Sequence, residues 1–254
     1  MMPENHARTS SALRRCGATV AVIAAALLVL PSMASALTMI DFEGFTHGEI
    51  VTAAGGVTIE ADNVNRSFDL AVAFDSDFVG VTADPDLQAG DAIWSGGNLQ
   101  GENLGRMLIL QENDAGCDTG VCSNPDDEGR RPAGTLSFLF EVPVLSFGFD
   151  LIDIDSLTLE NGAITFYDVA GGSASIDFAT LLAGYEIGNN TANRIKTMDF
   201  AELQIGAISK VEFSMGGSGA IDNVNFQVVP EPTTALLMGL GLAGLGYAGR
   251  SRQV

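Results

Sequence analysis

Eleven short stretches between Leu37 and Val228 carry apolar residues at alternate positions and are parted by Gly, Asn, Asp and Pro. A period of two turns one face of an extended strand to a core and the other to water. AITFYDV, ISKVEFSM and AIDNVNFQV show it, and LTMIDFEG, GVTIEADN, DLAVAFDS, RMLILQEN, GTLSFLFEV, LSFGFDLIDID, ASIDFAT and NRIKTMDF complete the set. No amphipathic helix of useful length interrupts them. The expected fold is all-β: one jelly-roll-like β-sandwich over residues 37–228.

Both ends of the chain read as addresses instead. Arg8, Arg14 and Arg15 precede an apolar run from Gly17 to Leu30, then Pro31, Ser32 and Ala34-Ser35-Ala36. Charged, apolar and small-residue segments in that order are the layout of a secretory signal helix, with Ala34 and Ala36 at the cleavage site and Leu37 as the new N-terminus. The apolar run is short of the about 20 residues a spanning helix needs. At the other end Thr233–Gly249 is free of charge. As a helix it would reach about 25 Å, just enough to cross a hydrocarbon core of about 30 Å. Gly239, Gly241, Gly244 and Gly246 within it suit close helix packing in lipid better than a helix in water. A C-terminal transmembrane helix over 233–249 is therefore expected, with Arg250 and Arg252 on the cytoplasmic side.

Val229-Pro230-Glu231-Pro232, a short glycine-rich hydrophobic stretch and a basic end resemble the PEP-CTERM sorting tail of exported bacterial proteins. The resemblance covers residues 229–254. Such a tail is a substrate for an exosortase, a membrane transpeptidase-like protease that acts near the Pro-Glu-Pro and passes the chain to the cell surface or its polysaccharide matrix. The resemblance implies the secretion machinery as a partner, a membrane-anchored stage followed by surface or matrix localisation, and no catalysis by this chain. The basic end, two arginines split by Ser251, is thinner than the usual pattern.

The formal charge is -20, and the segment 37–228 holds nearly all of the acids. A surface of that sign repels phosphate backbones and anionic headgroups, which excludes nucleic acid and favours cations as ionic partners. After signal removal only Cys117 and Cys122 remain, both in the polar stretch NDAGCDTGVCSNPDDEGRRP, which reads as a surface excursion. Outside the cytoplasm they are expected to form a disulfide; a zinc site would need further ligands, and the mature chain has one histidine, His47. That lone histidine leaves no hydrolytic triad.

In LSFGFDLIDID the apolar positions change parity between Leu151 and Ile152, so a bulge is expected there, turning Asp150, Asp153 and Asp155 outward. This trio reads as a solvated edge, a cation site or a carboxylate pair for glycoside hydrolysis. Trp94, in the long polar loop 75–103, reads as a sugar-stacking ligand contact or as a cap on the core. In arrangement the domain also resembles jelly-roll carbohydrate-binding modules, whose neighbouring first and last strands hold a structural calcium. That resemblance implies Asp41, Glu43, Asp222 and Asn223 as calcium ligands. Asp222 shares the parity of Val224, Phe226 and Val228, so it points inward and needs compensation by a metal or by backbone amides.

The functional expectation is a non-catalytic exported surface or matrix protein that binds polysaccharide, with calcium as a structural aid and no other cofactor. The alternatives are a surface module for protein–protein interaction and a secreted glycosidase using Asp150, Asp153 and Asp155.

Overall fold

The structure, a computed structural model, describes residues 37–82, 84–88, 94–229 and 238–246. Ser35–Val229 forms one compact unit. Its strands are β1 (Leu37–Ile40), β2 (Ala53–Ala54), β3 (Val57–Asn63), β4 (Ala71–Asp75), β5 (Arg106–Leu110), β6 (Gly134–Ile152), β7 (Ala163–Asp168), β8 (Ser173–Asp177), β9 (Ala192–Asp199), β10 (Ile208–Met215) and β11 (Ala220–Val228). They form a curled antiparallel sheet in an all-β fold. A single turn of helix, α1 (Phe178–Leu181), follows β8, where the Asp177 side chain accepts a hydrogen bond from the Thr180 N–H at 2.6 Å and ends the strand.

β6 organises the sheet. Its first half lies between β10 and β3, with Phe138 opposite Val211 and Ile59. Its second half lies between β11 and β9, with Phe147 opposite Phe226 and Met198. The sequence suggests two strands here because Pro143 parts two apolar runs. The chain instead runs through as one strand of 19 residues. Pro143 stands where the partners change, and its carbonyl accepts from the Val229 N–H at 2.8 Å. A residue without an N–H fits at such a junction, where the ladder is already interrupted.

The curl encloses a core built on Phe138, Phe140, Phe147, Phe149, Phe166, Phe213 and Phe226. Phe149 and Phe213 meet edge to face with ring centroids 4.7 Å apart, and Phe140 and Phe226 do so at 5.1 Å. A second core lies on the other side of β4 and β5. Ala71, Ala73, Leu108 and Leu110 join the first core, whereas Val72, Phe74, Met107 and Ile109 join the second. Strands buried on both faces read as continuous apolar runs, as AVAF and MLIL do.

This two-sided burial corrects the bulge expected at Leu151–Ile152. The ladder runs on there without a shift, Leu151 opposite Ile221 and Ile152 opposite Ala220. Leu151 enters the first core and Ile152 the second, so the strand keeps its alternation there; Ile154 returns to the first core because the strand has ended and Asp153 turns the chain at φ 59°. The register shift opposite β9 falls earlier, between Phe147 and Phe149.

The excursion after Gln111 is closely tied to the domain. Cys117 and Cys122 form a disulfide with an S–S distance of 2.08 Å, and both are buried in the second core. The Cys122 N–H donates to Gly48 O at 2.7 Å, and the Ile50 N–H to Gly120 O at 2.9 Å. Further on, Glu128 is buried and holds Arg66 at 2.7 Å.

Candidate functional site

The second core needs a cover, because β4 and β5 turn apolar side chains outward. The loop between them supplies it with Leu87, Trp94, Leu99 and Leu104. Gly97, at φ 86°, allows the close approach: a Cβ there would lie 2.1 Å from Ala192 O on β9. Trp94 is 1% exposed. Of its two readings, the cap on the core is the one the structure shows and the sugar-stacking contact is set aside, since almost none of the indole reaches solvent and the ring belongs to the second core with Met107 and Ile109. His47 is likewise a packing residue. Its ring stacks on Phe78 at 4.2 Å, meets Phe74 edge-on at 5.1 Å, and accepts the Asp75 N–H at Nδ1, 3.1 Å away. Burial holds its pKa below the ordinary histidine value.

β1 and β11 are antiparallel neighbours, Ile40 opposite Val224. The four residues expected to bind calcium nevertheless do not converge. Glu43 turns to Arg106, accepting from its N–H at 2.8 Å and its guanidinium at 3.0 Å. Asp41 stays exposed and accepts from the Glu43 N–H at 3.3 Å. Asp222 is 0% exposed; its Oδ2 accepts from Asn223 Nδ2 at 2.8 Å, while its Oδ1 has no hydrogen-bond partner. The same Asn223 amide donates to Asp150 Oδ2 at 2.9 Å. Burial, and then the charges of Asp150, Glu43 and Asp41, push the Asp222 pKa well above the usual carboxylate range.

Asp150 and Asp153 also depart from their expected outward setting. Asp150 is 1% exposed and takes Arg194 bidentately, from Nε and Nη2, both at 3.0 Å. Asp153, at φ 59°, is 2% exposed, and its Oδ1 accepts the Asn190 N–H at 2.5 Å. Only Asp155 faces water. The trio is therefore neither a solvated edge nor an accessible carboxylate pair, because the end of β6 is buried between the two cores.

Asp153 belongs to an acidic cluster that spacing along the chain does not announce. Asp84 Oδ2 accepts the Asp127 N–H at 3.3 Å, Asp127 Oδ2 accepts the Gly219 N–H at 2.5 Å, and Asn189 Nδ2 donates to Asp86 Oδ2 at 3.2 Å. Burial pushes Asp84 up to about 10 and Asp153 up to about 7, and it raises Asp127 well above its ordinary value. Neighbouring carboxylates add to the shift in each case. Among the described residues no group of three or more His, Cys, Asp or Glu side chains is arranged to hold a metal ion.

A groove of about 310 Å³ runs beside α1 and β9, lined by Leu181, Tyr185, Ile195, Lys196, Asp199 and Glu202 among others. It combines an apolar floor, one partly exposed aromatic ring and a rim of hydrogen-bonding groups.

Ala34 and Ala36 lie outside the described residues, as do Pro230, Glu231, Pro232, Arg250 and Arg252. Val229 closes the compact unit through its bond to Pro143. Residues 228–253 match the family model described as the PEP-CTERM protein-sorting motif. The tail is a PEP-CTERM sorting motif. Its presence makes the chain an exported protein that an exosortase system sorts to the cell surface. The PEP-CTERM segment includes a helical stretch at 238–246, about 14 Å long at 1.5 Å per residue. Among the described residues no helix is long and apolar enough to cross a membrane, so a spanning helix over Thr233–Gly249 has no support in the structure. No curated protein matches the chain. Among solved structures, the K2 cleaved adhesin domain of Lys-gingipain is similar at 11% identity over 76% of this chain and 99% of that one, with a TM-score of 0.40. A Bacillus thuringiensis Cry1Da tryptic core variant is similar at 14% identity over 55% of this chain and 22% of that one, with a TM-score of 0.24.

Proposed function

We propose that the mature protein is a non-catalytic component of the cell surface or its matrix that binds extracellular polysaccharide. The sorting motif at residues 228–253 carries this reading, because its destination is where such polymers lie. Cleavage after Ala36 releases a jelly-roll-like β-sandwich in which β6 joins the two layers. The uncharged stretch Thr233–Gly249 holds the chain at the membrane while the exosortase acts. Replacing Pro230, Glu231 and Pro232 together by alanine is expected to leave most of the protein in the membrane fraction and little at the surface. Cell fractionation with surface immunolabelling reads the outcome, and unchanged surface delivery would refute the sorting part.

Polysaccharide binding is supported by the groove beside α1. Tyr185 offers a ring face to an apolar sugar surface, while Lys196, Asp199 and Glu202 offer donors and acceptors to hydroxyls. The two acids at the rim oppose anionic polymers and favour neutral ones. Tyr185→Ala is expected to weaken glycan retention by about tenfold, on the order of 1–1.5 kcal/mol for the lost aromatic contact. A glycan array followed by affinity titration tests this. Full retention by the variant would remove the groove from the proposal and leave sorting untouched.

A further inference from the structure

We propose that β8 is a docking edge for a second copy of this chain, the two β8 strands pairing antiparallel about Ser175 so that one sheet continues across a two-fold axis. Among the described residues β8 pairs with β7 alone, which leaves one of its sides open. The ladder to β7 fixes which groups face that open side. The Asp168 N–H donates to Gly172 O and the Phe178 N–H to Gly162 O, at the two ends of the β7–β8 hairpin. Hydrogen-bonded pairs recur at every second residue between them, so Phe166 with Ala174 and Ile164 with Ile176 complete the series. The backbone N–H and C=O groups of Ser173 and Ser175, and the N–H of Asp177, therefore point away from β7.

Strand edges of monomeric domains are normally closed by charge, proline, a bulge or a covering segment. The outer side of β4 is covered by residues 48–51, with the Val51 N–H donating to Ala71 O and the Ala73 N–H to Glu49 O. β9 carries Arg194 and Lys196, has a register shift, and is held in its first half by the Asn98 side chain. β8 has no lysine, arginine, proline or shift. Its side chains instead suit a copy of itself. Pairing centred on Ser175 sets Asp177 opposite Ser173 of the second copy and Ala174 opposite Ile176, so no carboxylate meets another. About four hydrogen bonds then form, two between the Ser175 residues and one from each Asp177 N–H to the Ser173 O opposite. The two Asp177 carboxylates stand about 14 Å apart, the length of four strand residues, and salt screens them at that distance. A slip of two residues toward α1 would halve the separation, and a parallel pairing would align the two acids. β7 brings only Ala163, Thr165 and Tyr167 to the same face beside Ser173, Ser175 and Asp177. In a chain of formal charge -20 this strip opposes almost no charge to its own copy. The sorting tail gathers copies at one surface, where a pairing that is weak in dilute solution is favoured by the raised local concentration. The pairing rests on the sheet edge and not on polysaccharide binding.

Sedimentation velocity of the full chain in detergent, from about 1 to about 100 µM, is expected to show monomer giving way to dimer, as suits a small interface. Ser175→Pro removes the central N–H on the open side, and Ser175→Lys sets two ammonium groups against each other. Each is expected to weaken dimerisation by about tenfold or more while the melting temperature of the domain stays within a few degrees. Ser175→Cys is expected to give a disulfide-linked dimer on mild oxidation, above the level of the natural chain, since opposed residues of a hydrogen-bonded pair have Cα atoms about 5.5 Å apart. Ser173→Cys, about 14 Å from its counterpart in this register, is expected to stay at the level of the natural chain. A monomer at every concentration would overturn the proposal. A dimer that neither Ser175→Pro nor Ser175→Lys weakens would overturn it too, placing the contact elsewhere, such as the tail. Equal cross-linking of Ser173→Cys and Ser175→Cys would overturn the pairing about Ser175.

Discussion

Phe147→Ala is expected to lower the stability of the domain by about 3–5 kcal/mol, the usual cost of emptying an aromatic site in a close-packed core. Phe147 sits in the middle of β6, 0% exposed, and its ring lies 5.8–6.3 Å from those of Phe138, Phe140, Phe149, Phe166 and Phe213. Those neighbours come from β6, β7 and β10, so one truncation loosens contacts across the curl. The surrounding rings are anchored on strands and cannot collapse into the gap, which places the expected loss toward the upper part of the range. Urea denaturation of the natural and substituted chains measures it. A loss below about 1 kcal/mol would mean that the aromatic cluster packs far less tightly than these distances indicate.

Raising the pH from about 5 to about 9 in the presence of EDTA is expected to destabilise the fold by several kcal/mol, opposite to the acid lability of most carboxylate-rich domains. Asp153 is held at about 7 in the folded chain, Asp126 at about 6 and Asp84 at about 10, mainly because burial disfavours their charged forms. In the unfolded chain all three titrate near 3.8. A group raised in this way stabilises the fold fully below its unfolded value and loses that contribution as the pH rises through its folded value. Over this interval Asp153 alone accounts for on the order of 3 kcal/mol. Asp153→Asn, which keeps the acceptor for the Asn190 N–H, should flatten the slope. Chemical denaturation across the pH range checks both statements. A stability that rises steadily with pH would contradict the burial of these acids.

The strands were legible because several face water on one side and alternate, as Ile164 and Phe166 do in β7 and Val211, Phe213 and Met215 in β10. β2 was not, since two residues carry no period. Pro143 made one strand look like two, because a proline inside a ladder is normally excluded and nothing local shows that the partners change beside it. The sequence leaves Trp94 open between ligand contact and core cap for a related reason. The loop around it is polar, and the cue to its burial lies elsewhere, in the unbroken apolar runs of β4 and β5 that call for a second cover. Asp84, Asp127 and Asp153 meet only through tertiary folding, across separations of tens of residues, and no spacing rule could join them. The inward direction of Asp222 was readable from strand parity, whereas its pairing with Asp150 depends on the register between β11 and β6. The tail needed no fold to be recognised, since its order of motif, apolar stretch and basic end is purely sequential.

The sorting tail leaves the compact unit directly after β11, which is hydrogen-bonded to β6 on one side and to β1 and β5 on the other. A protein held at a surface by its C-terminal end receives mechanical tension through that strand. The inter-strand bonds stand across the direction of pull, so they are loaded together in shear rather than peeled apart one at a time. Tension entering through an interior strand is shared by the ladders on both of its sides, where an edge strand would meet it with a ladder on one side alone.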